Sequence, residues 1–413
     1  MQKIGVLDCN NFFVSCERLF RPDLKNKPVV VLSSNDGCVV ARSQEIKDKG
    51  IAMGIPYFQI KDILKDIGAT TFSSNFSLYR DISQRVFDVV KSEFGSIEQY
   101  SIDECFFTVP SESMYLIDNL KRQVESQVGV PISIGIANSK TQAKYIIRHA
   151  KKTNGIAVLN DEEWNKQIKE IKLSEIWGVG VNRSRKFAAH GLVTVNDLCS
   201  NSQSTIKNIF GVEGVRLQAE LIGKSVLKVE PTRISQKSVT SSRSFASTVS
   251  SLPVLEDAVA FHVYQVTNDL KNMNLLASSI KLTLSPSRYS DFSLQGASAE
   301  TIFNSPISDI FALNLEAKKL LKSCYKPSVP YKKVVIVLNN LISNEVKQNS
   351  LFDNNCIETN ELSKIFFAIN AKYKKPIIQL GRVENKKEAW MGRKQSLSPC
   401  YTTKWNDLKT VKT

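Results

Sequence analysis

Three carboxylates set the chemical question. Asp8 closes the apolar run "IGVLD" (4–8), and Asp103 and Glu104 are adjacent within "YSIDECF" (100–106). Neighbouring side chains on a regular strand point to opposite faces. One of the adjacent acids should therefore face the core, where an unpaired charge is expensive. A bend at 101–104 would let both face one way. If the strand ending at Asp8 lies beside the strand holding the pair, three hard oxygen ligands converge at one sheet edge. Such a set, with positions left open, suits Mg²⁺, which binds through few carboxylates and takes phosphate oxygens for the rest. Two such ions about 3.5–4 Å apart activate an attacking oxygen and stabilise a leaving one. Spacing alone leaves a second reading open, in which one acid faces solvent and the other caps a turn.

The elements that must position these acids are legible as a mix of strands and helices over the first ~165 residues. Apolar positions Phe12, Phe13, Cys16, Leu19 and Phe20 share one face at helical spacing, which predicts a helix over 11–20. "PVVVLS" (28–33) and "CVVARS" (38–43) read as strands joined by an "NDG" turn. A short helix then ends at Lys49-Gly50. Helices are expected over 81–94, 114–129 and 139–152, the last capped by Ser139, with a strand at 131–137 and a strand pair or bent strand over 97–109. Residues 166–232 read as a small helical module. The Ser-rich basic stretch 230–245 reads as a linker, 238–343 as mixed structure, and the last ~70 residues as polar with short apolar clusters.

The chain has 413 residues, enough for several domains, and 42% hydrophobic content supplies a core. Lys and Arg number 55 against 40 Asp and Glu, a net charge of +15. That balance favours a polyanion, nucleic acid before an anionic membrane surface, since no stretch approaches the ~18 apolar residues of a span. The N-terminus lacks signal-peptide features, so a cytoplasmic location and no membrane partner are expected. None of the eight cysteines forms a Cys-x-x-Cys pair and only His149, His190 and His262 are present, which argues against zinc.

The motif set resembles the Y-family DNA polymerases, and within them the UmuC branch. "DCNNFFVSCE" with "YSIDE" is similar to the family's two acidic motifs. "FRPDLKNKPVVVLSSNDGCVVARS" (20–43), "GIAMGIPYF" (50–58), "FSSNFSLYRDIS" (72–83), "WGVG" (177–180), "SRSF" (242–245), "INAKY" (369–373) and "LSPCYTT" (397–403) follow in order over almost the whole chain. The resemblance implies an α/β (α+β multidomain) right-hand architecture. Its parts would be a palm (1–32 and 75–165), fingers (33–74), a helical thumb with a helix-hairpin-helix (166–232), a linker (233–242), a little finger (243–343) and a C-terminal partner-binding region (344–413). It implies error-prone translesion synthesis in the SOS response without proofreading. Asp8, Asp103 and Glu104 would hold two Mg²⁺ with the Cys9 carbonyl as a further ligand, and dNTPs would be the substrates.

Other site residues follow from the same resemblance. Phe13 stands where the family places a steric gate against the ribose 2′-hydroxyl; without the resemblance it reads as a core residue of its helix. Gln44 and Lys47 occupy the places of a Tyr/Arg pair that grips the triphosphate, so one charge is kept and the guanidinium fork is lost. Either Lys151 or Lys152 would reach the β- or γ-phosphate, and Arg42 lies near the expected templating-base pocket, where Gly37, Cys38 and Ala41 are small. Gly178 and Gly180, with Arg183, Arg185 and Lys186 nearby, would meet a DNA phosphate, and Arg243 and the little-finger strands would track the template backbone. "QNSLF" (348–352) resembles a sliding-clamp peptide, with Gln348, Leu351 and Phe352 as contacts. The remaining tail resembles the region that in the family contacts a UmuD′ dimer and a RecA filament. Two other readings stand beside the polymerase: a non-catalytic accessory occupying stalled primer ends, and a two-metal phosphodiesterase.

Overall fold

The computed structural model describes residues 2–110, 114–231, 236–287, 295–346, 357–373, 377–380, 390 and 394–408. The chain divides into two compact units, one of Met1–Ser33, Gly37–Arg233 and Ser396–Thr413, the other of Ser34–Asp36 and Ile234–Gln395.

The first unit is built on β1 (Lys3–Cys9) and α1 (Phe12–Phe20), then β2 (Val29–Leu32), β3 (Val39–Arg42), α2 (Gln44–Asp48), α3 (Tyr57–Asp66) and β4 (Thr70–Ser73). There follow α4 (Phe76–Phe94), β5 (Ile97–Gln99), β6 (Glu104–Val109), α5 (Leu116–Gln127), β7 (Ile132–Ala137), α6 (Lys140–Ala150) and β8 (Ile156–Val158). A five-stranded sheet runs β5-β6-β1-β7-β8. Its central strands β1 and β7 are buried along almost their whole length, as continuous apolar runs require when both faces are covered. One core joins the sheet to α1, α4 and α5; a second joins its other face to α6 and the helices that follow. A smaller sheet, β3-β2-β4, has its own core of Val30, Leu32, Val39, Ile46, Ile51, Ile60 and Leu64. The helical part consists of α7 (Asp161–Gln167), α8 (Val181–Ala189), α9 (Val195–Cys199) and α10 (Gln203–Leu221).

The second unit is a four-stranded antiparallel sheet, β11-β10-β12-β9, made of β9 (Ser238–Val249), β10 (Leu275–Pro286), β11 (Ala297–Ile307) and β12 (Tyr331–Ser343). Helices α11 (Leu252–Asn272) and α12 (Ile310–Cys324) cover one face, and α13 (Ile357–Lys372) adds Phe366 and Phe367 to that core.

Two readings of the sequence are corrected here. Residues 238–245 are strand, not linker: Val239 and Phe245 alternate inward while Thr240, Ser242 and Ser244 alternate outward. Small hydroxyl residues on one face of a strand look like linker composition when the period of two is overlooked. The helix expected to start at Asp81 begins five residues earlier, because Asn75 caps it by accepting from Leu78 N–H. The end of the chain also returns to the first unit, where Ser396 pairs with Ser73.

Candidate active site

Register places the two acidic motifs side by side. β1 runs antiparallel to β6 with Asp8 opposite Glu104, and Cys9 N–H donates to the Asp103 carbonyl at 2.9 Å. The strand pair expected over 97–109 is present as β5 and β6, joined by a bend at 101–103. Asp8 and Glu104 act on each other's ionisation, since a proton held by one carboxyl can be donated to the other. Asp103 is turned aside: its Oδ1 accepts from Ser101 Oγ at 2.6 Å, and its N–H donates to the same hydroxyl. Among the described residues no three His, Cys, Asp or Glu side chains close on a metal position. The expected convergence of three acids is therefore a pair in contact, with the third one residue away at the bend.

The pair is largely buried, and each carboxyl meets one lysine. Burial, and then the hydrogen bond with Glu104, push the Asp8 carboxyl up to about 7 against the opposing pull of Lys151. For Glu104 burial acts upward, but hydrogen bonds from Asp8 and Lys144 outweigh it and hold the group below the usual range. Lys151 Nζ lies 2.7 Å from Asp8 Oδ1, and Lys144 Nζ pairs with Glu104 Oε1. A buried, oxygen-only donor pair whose Asp8 carboxyl is pushed up by burial is chemically suited to a hard divalent ion.

Lysines line this edge for a structural reason. Lys140, Lys144 and Lys151 recur along the side of α6 and its C-terminal end that faces the sheet edge, and a cation at a helix C-terminus is favoured by the helix dipole. Lys140 pairs with Glu98, and Lys144 also stands over the Tyr100 ring. Sequence reasoning missed Lys144; its i+4 spacing from Lys140 was the signal. Lys151 reaches the acids, whereas Lys152 lines a separate cavity with Tyr145, Arg148 and His149.

From the smaller sheet, α2 brings Lys47 to Asn11, with Nζ donating to Oδ1 at 2.6 Å. Burial, then the nearby Arg42 and Lys151 charges, hold the Lys47 ammonium below its ordinary value. Lys151 and Lys47 thus bring positive charge to Asp8, with Arg42 near Lys47. The Arg42 guanidinium donates to the Ile51 carbonyl. Gln44 is turned along its own helix, donating to Asp48 at 2.7 Å.

Phe13 is half-buried on α1. Its ring stacks on Tyr79 (4.5 Å between centroids, 14° between planes) and meets Phe76 edge-on at 5.7 Å. The core-residue alternative describes it in part: the ring packs against the core of the first unit, and the residue keeps some exposed area.

The "WGVG" turn sits next to the acidic strand, since Trp177 Nε1 donates to the Tyr100 hydroxyl at 3.2 Å. Gly178 has φ +83° and Gly180 caps α8. A side chain at either glycine would meet nothing within 4 Å, so the turn's backbone is open. Arg183 donates to the Gly178 carbonyl, and Lys186 stands over Phe210. In the second unit, Arg243 lies on the helix-covered side of β9 with its guanidinium over the Phe261 ring. The opposite face presents Ser244, Lys333 and Ser285 in one row across the strands. Gln348, Leu351 and Phe352 lie outside the described residues.

Comparison with known proteins agrees with this architecture. A Y-family DNA polymerase chimera of Dbh and Dpo4 matches with a TM-score of 0.71 at 22% identity, covering 83% of this chain and 100% of that one. The fold is that of the Y-family DNA polymerases. The impB/mucB/samB family matches residues 7–148, its C-terminal domain matches 236–351, and a domain of unknown function, DUF4113, matches 360–411. Protein UmuC of Salmonella typhimurium (strain LT2) is 32% identical over 99% of this chain and 100% of its own length. DNA polymerase IV 1 of Bacillus subtilis (strain 168) is 25% identical over 93% of each chain. The chain belongs to the impB/mucB/samB family, the UmuC branch of the Y-family translesion DNA polymerases.

Proposed function

We propose that this DNA polymerase joins dNTPs to a primer 3′-hydroxyl at the Asp8–Glu104 edge and does so opposite damaged template bases. The observation that carries the site assignment is the buried carboxyl pair to which Lys151 and Lys47 bring positive charge, with Arg42 near Lys47. Asp8, Asp103, Glu104 and the Cys9 carbonyl are the groups that would hold the divalent ions, and we assign these as two Mg²⁺. Bound there, the ions would supply the charge neutralisation on which in-line phosphoryl transfer depends. The primer oxygen attacks the α-phosphorus, a P–O bond forms, and the bond to pyrophosphate breaks. Lys151 and Lys47 neutralise the departing phosphates. The Phe13 ring lies beneath the sugar, where its bulk leaves no room for a 2′-hydroxyl.

Primer–template DNA is the partner that the basic surface serves. The Gly178–Gly180 turn, with Arg183 and Lys186, offers backbone N–H groups to a phosphate. The open face of the second sheet, with its serines and Lys333, suits sequence-independent contacts. Such a protein acts where DNA is exposed, in the cytoplasm, and no helix among the described residues is long and apolar enough to cross a membrane. Similarity to UmuC along the whole chain supports work in the SOS response with a sliding clamp at 348–352, a UmuD′-like dimer and a RecA filament. The non-catalytic accessory reading is not favoured, because it gives no reason to bury two carboxylates together.

The test is primer extension on undamaged and abasic templates, with and without those partners, beside an Asp103→Ala, Glu104→Ala double variant. Extension past the lesion that disappears in the variant is the expected result. Equal primer-end binding with no extension by either protein would favour the accessory.

A further inference from the structure

The segment Ser396–Tyr401, at the end of the region matched by a domain of unknown function, packs onto the two helices that carry the aromatic cluster around Phe13. Ser396 exchanges two hydrogen bonds with Ser73: Ser73 N–H donates to the Ser396 carbonyl at 2.9 Å, and Ser396 N–H donates to Ser73 Oγ at 3.1 Å. Asn75, the cap of α4, uses its amide to donate to the Ser398 carbonyl and hydroxyl, both at 3.0 Å, and to the Pro399 carbonyl at 3.2 Å. Phe76 is the first residue of that helix. At the other side of the clasp, Tyr401 stacks on Phe20, the last residue of α1, with centroids 4.5 Å apart and planes at 15°.

Between these two attachments runs a direct chain to Phe13. Ser398 Oγ donates to Glu17 Oε1 at 3.0 Å. The Tyr79 hydroxyl donates to the same oxygen at 2.6 Å. The Tyr79 ring is the one stacked on Phe13. Glu17 is completely buried, and its other oxygen has no partner among the described residues. A buried carboxylate with so few donors depends on each of them. Losing the Ser398 hydroxyl would leave Glu17 resting on Tyr79 alone, and Glu17 and Tyr79 would shift together. In a close-packed aromatic stack such a shift passes to the neighbouring ring.

We propose that Ser396–Tyr401 is a clasp that positions the Phe13 ring through Ser398, Glu17 and Tyr79, and so sets the enzyme's selection of deoxyribose over ribose. The inference rests on the reading of Phe13 as the sugar gate. It makes Ser398, about 380 residues distant in sequence from Glu17, a positioning residue for nucleotide choice.

The experiment measures dATP and ATP affinity for the full-length protein on a dideoxy-terminated primer–template, so that no turnover is needed. Wild type, Ser398→Ala, Ser398→Thr, Tyr79→Phe, Phe13→Ala and the Phe13→Ala, Ser398→Ala double variant are compared. Ser398→Ala and Tyr79→Phe should each lower the dATP:ATP preference at least threefold. Ser398→Thr, which keeps the hydroxyl, should restore it. In the Phe13→Ala background Ser398→Ala should add nothing, because coupled residues are non-additive. A wild-type preference in folded Ser398→Ala and Tyr79→Phe, with Phe13→Ala losing preference, overturns the clasp and leaves the gate standing. Unchanged preference in Phe13→Ala overturns the gate and the clasp together. Should Ser398→Ala not fold, Tyr79→Phe, which removes one oxygen, decides between these outcomes.

Discussion

Asp8 and Lys151 form a 2.7 Å ion pair at the sheet edge, while the adjacent Lys152 lines another cavity. The sequence offered both lysines to the triphosphate; backbone direction at the end of α6 separates them. Lys151→Ala should raise KM for the incoming dNTP at least tenfold, a loss of about 1.4 kcal/mol. Lys152→Ala should stay within about twofold. Steady-state primer extension over a dNTP series distinguishes them, and equal effects of the two substitutions would contradict the placement.

Asp8→Asn should separate activity from stability. The amide keeps the shape and removes one of two carboxyl groups packed against each other in a buried place. Primer extension should fall by at least about 10³-fold, as expected when charge stabilisation at a transferring phosphoryl group is lost. In metal-free buffer the variant should melt no lower than wild type. Adding Mg²⁺ should raise Tm for wild type and not for the variant, because an ion bound only by the folded state stabilises it. Scanning calorimetry with and without chelator reads both effects. A drop of several degrees in metal-free buffer would make Asp8 a structural residue.

How much of this was legible in the sequence depends on the range of the interaction involved. The acidic motifs and the order of most elements were legible, because apolar runs and capping residues are local signals. The adjacency of Asp8 and Glu104 was posed as a condition, and strand register fulfils it. The turning of Asp103 toward Ser101 was not legible, since a bend can present its side chains either way. The Ser-rich strand β9 was hidden by composition. Arg243 was expected to track the template backbone; the period-two alternation of β9 sends it to the helix-covered side, over Phe261. The clasp from Ser396 to Tyr401 joins residues more than 320 positions apart, and no local pattern announces such a contact.

His262 gives the second unit a pH dependence. The imidazole is buried on α11, with Nδ1 2.7 Å from Ser241 Oγ and Trp390 and Phe261 packed alongside. Burial first, and the Arg243 charge second, push its pKa down to about 3. Below a pH of about 6.5 the unfolded chain takes up a proton that the folded ring refuses. Stability from this group is therefore complete above about 6.5 and falls as pH drops toward 3, by at most about 5 kcal/mol. Hydrogen exchange across Leu252–Asn272 should be slower at pH 7.5 than at pH 5 after correction for intrinsic rates. His262→Asn should flatten that difference. An unchanged difference would mean that the ring is not the group responsible.

Gly178 and Gly180 should respond differently to alanine, although they flank one residue and both face open space. Gly178 has φ +83°, a conformation that costs an L-residue about 1–2 kcal/mol, whereas Gly180 is at −75°, which alanine adopts freely. Gly178→Ala should distort the turn that presents N–H groups at the start of α8 and weaken primer–template binding up to about tenfold, whatever the sequence. Gly180→Ala should change binding less, because it leaves the backbone path intact. Arg183 lies beside the turn, and the proposed function gives it the electrostatic part of the grip. Arg183→Ala should lower the slope of log affinity against log salt by about one, the signature of one lost phosphate contact. Fluorescence anisotropy with two unrelated primer–templates across a salt series measures all three variants. An effect of Gly178→Ala confined to one DNA sequence, or an unchanged salt slope in Arg183→Ala, would remove this turn from the DNA-binding surface.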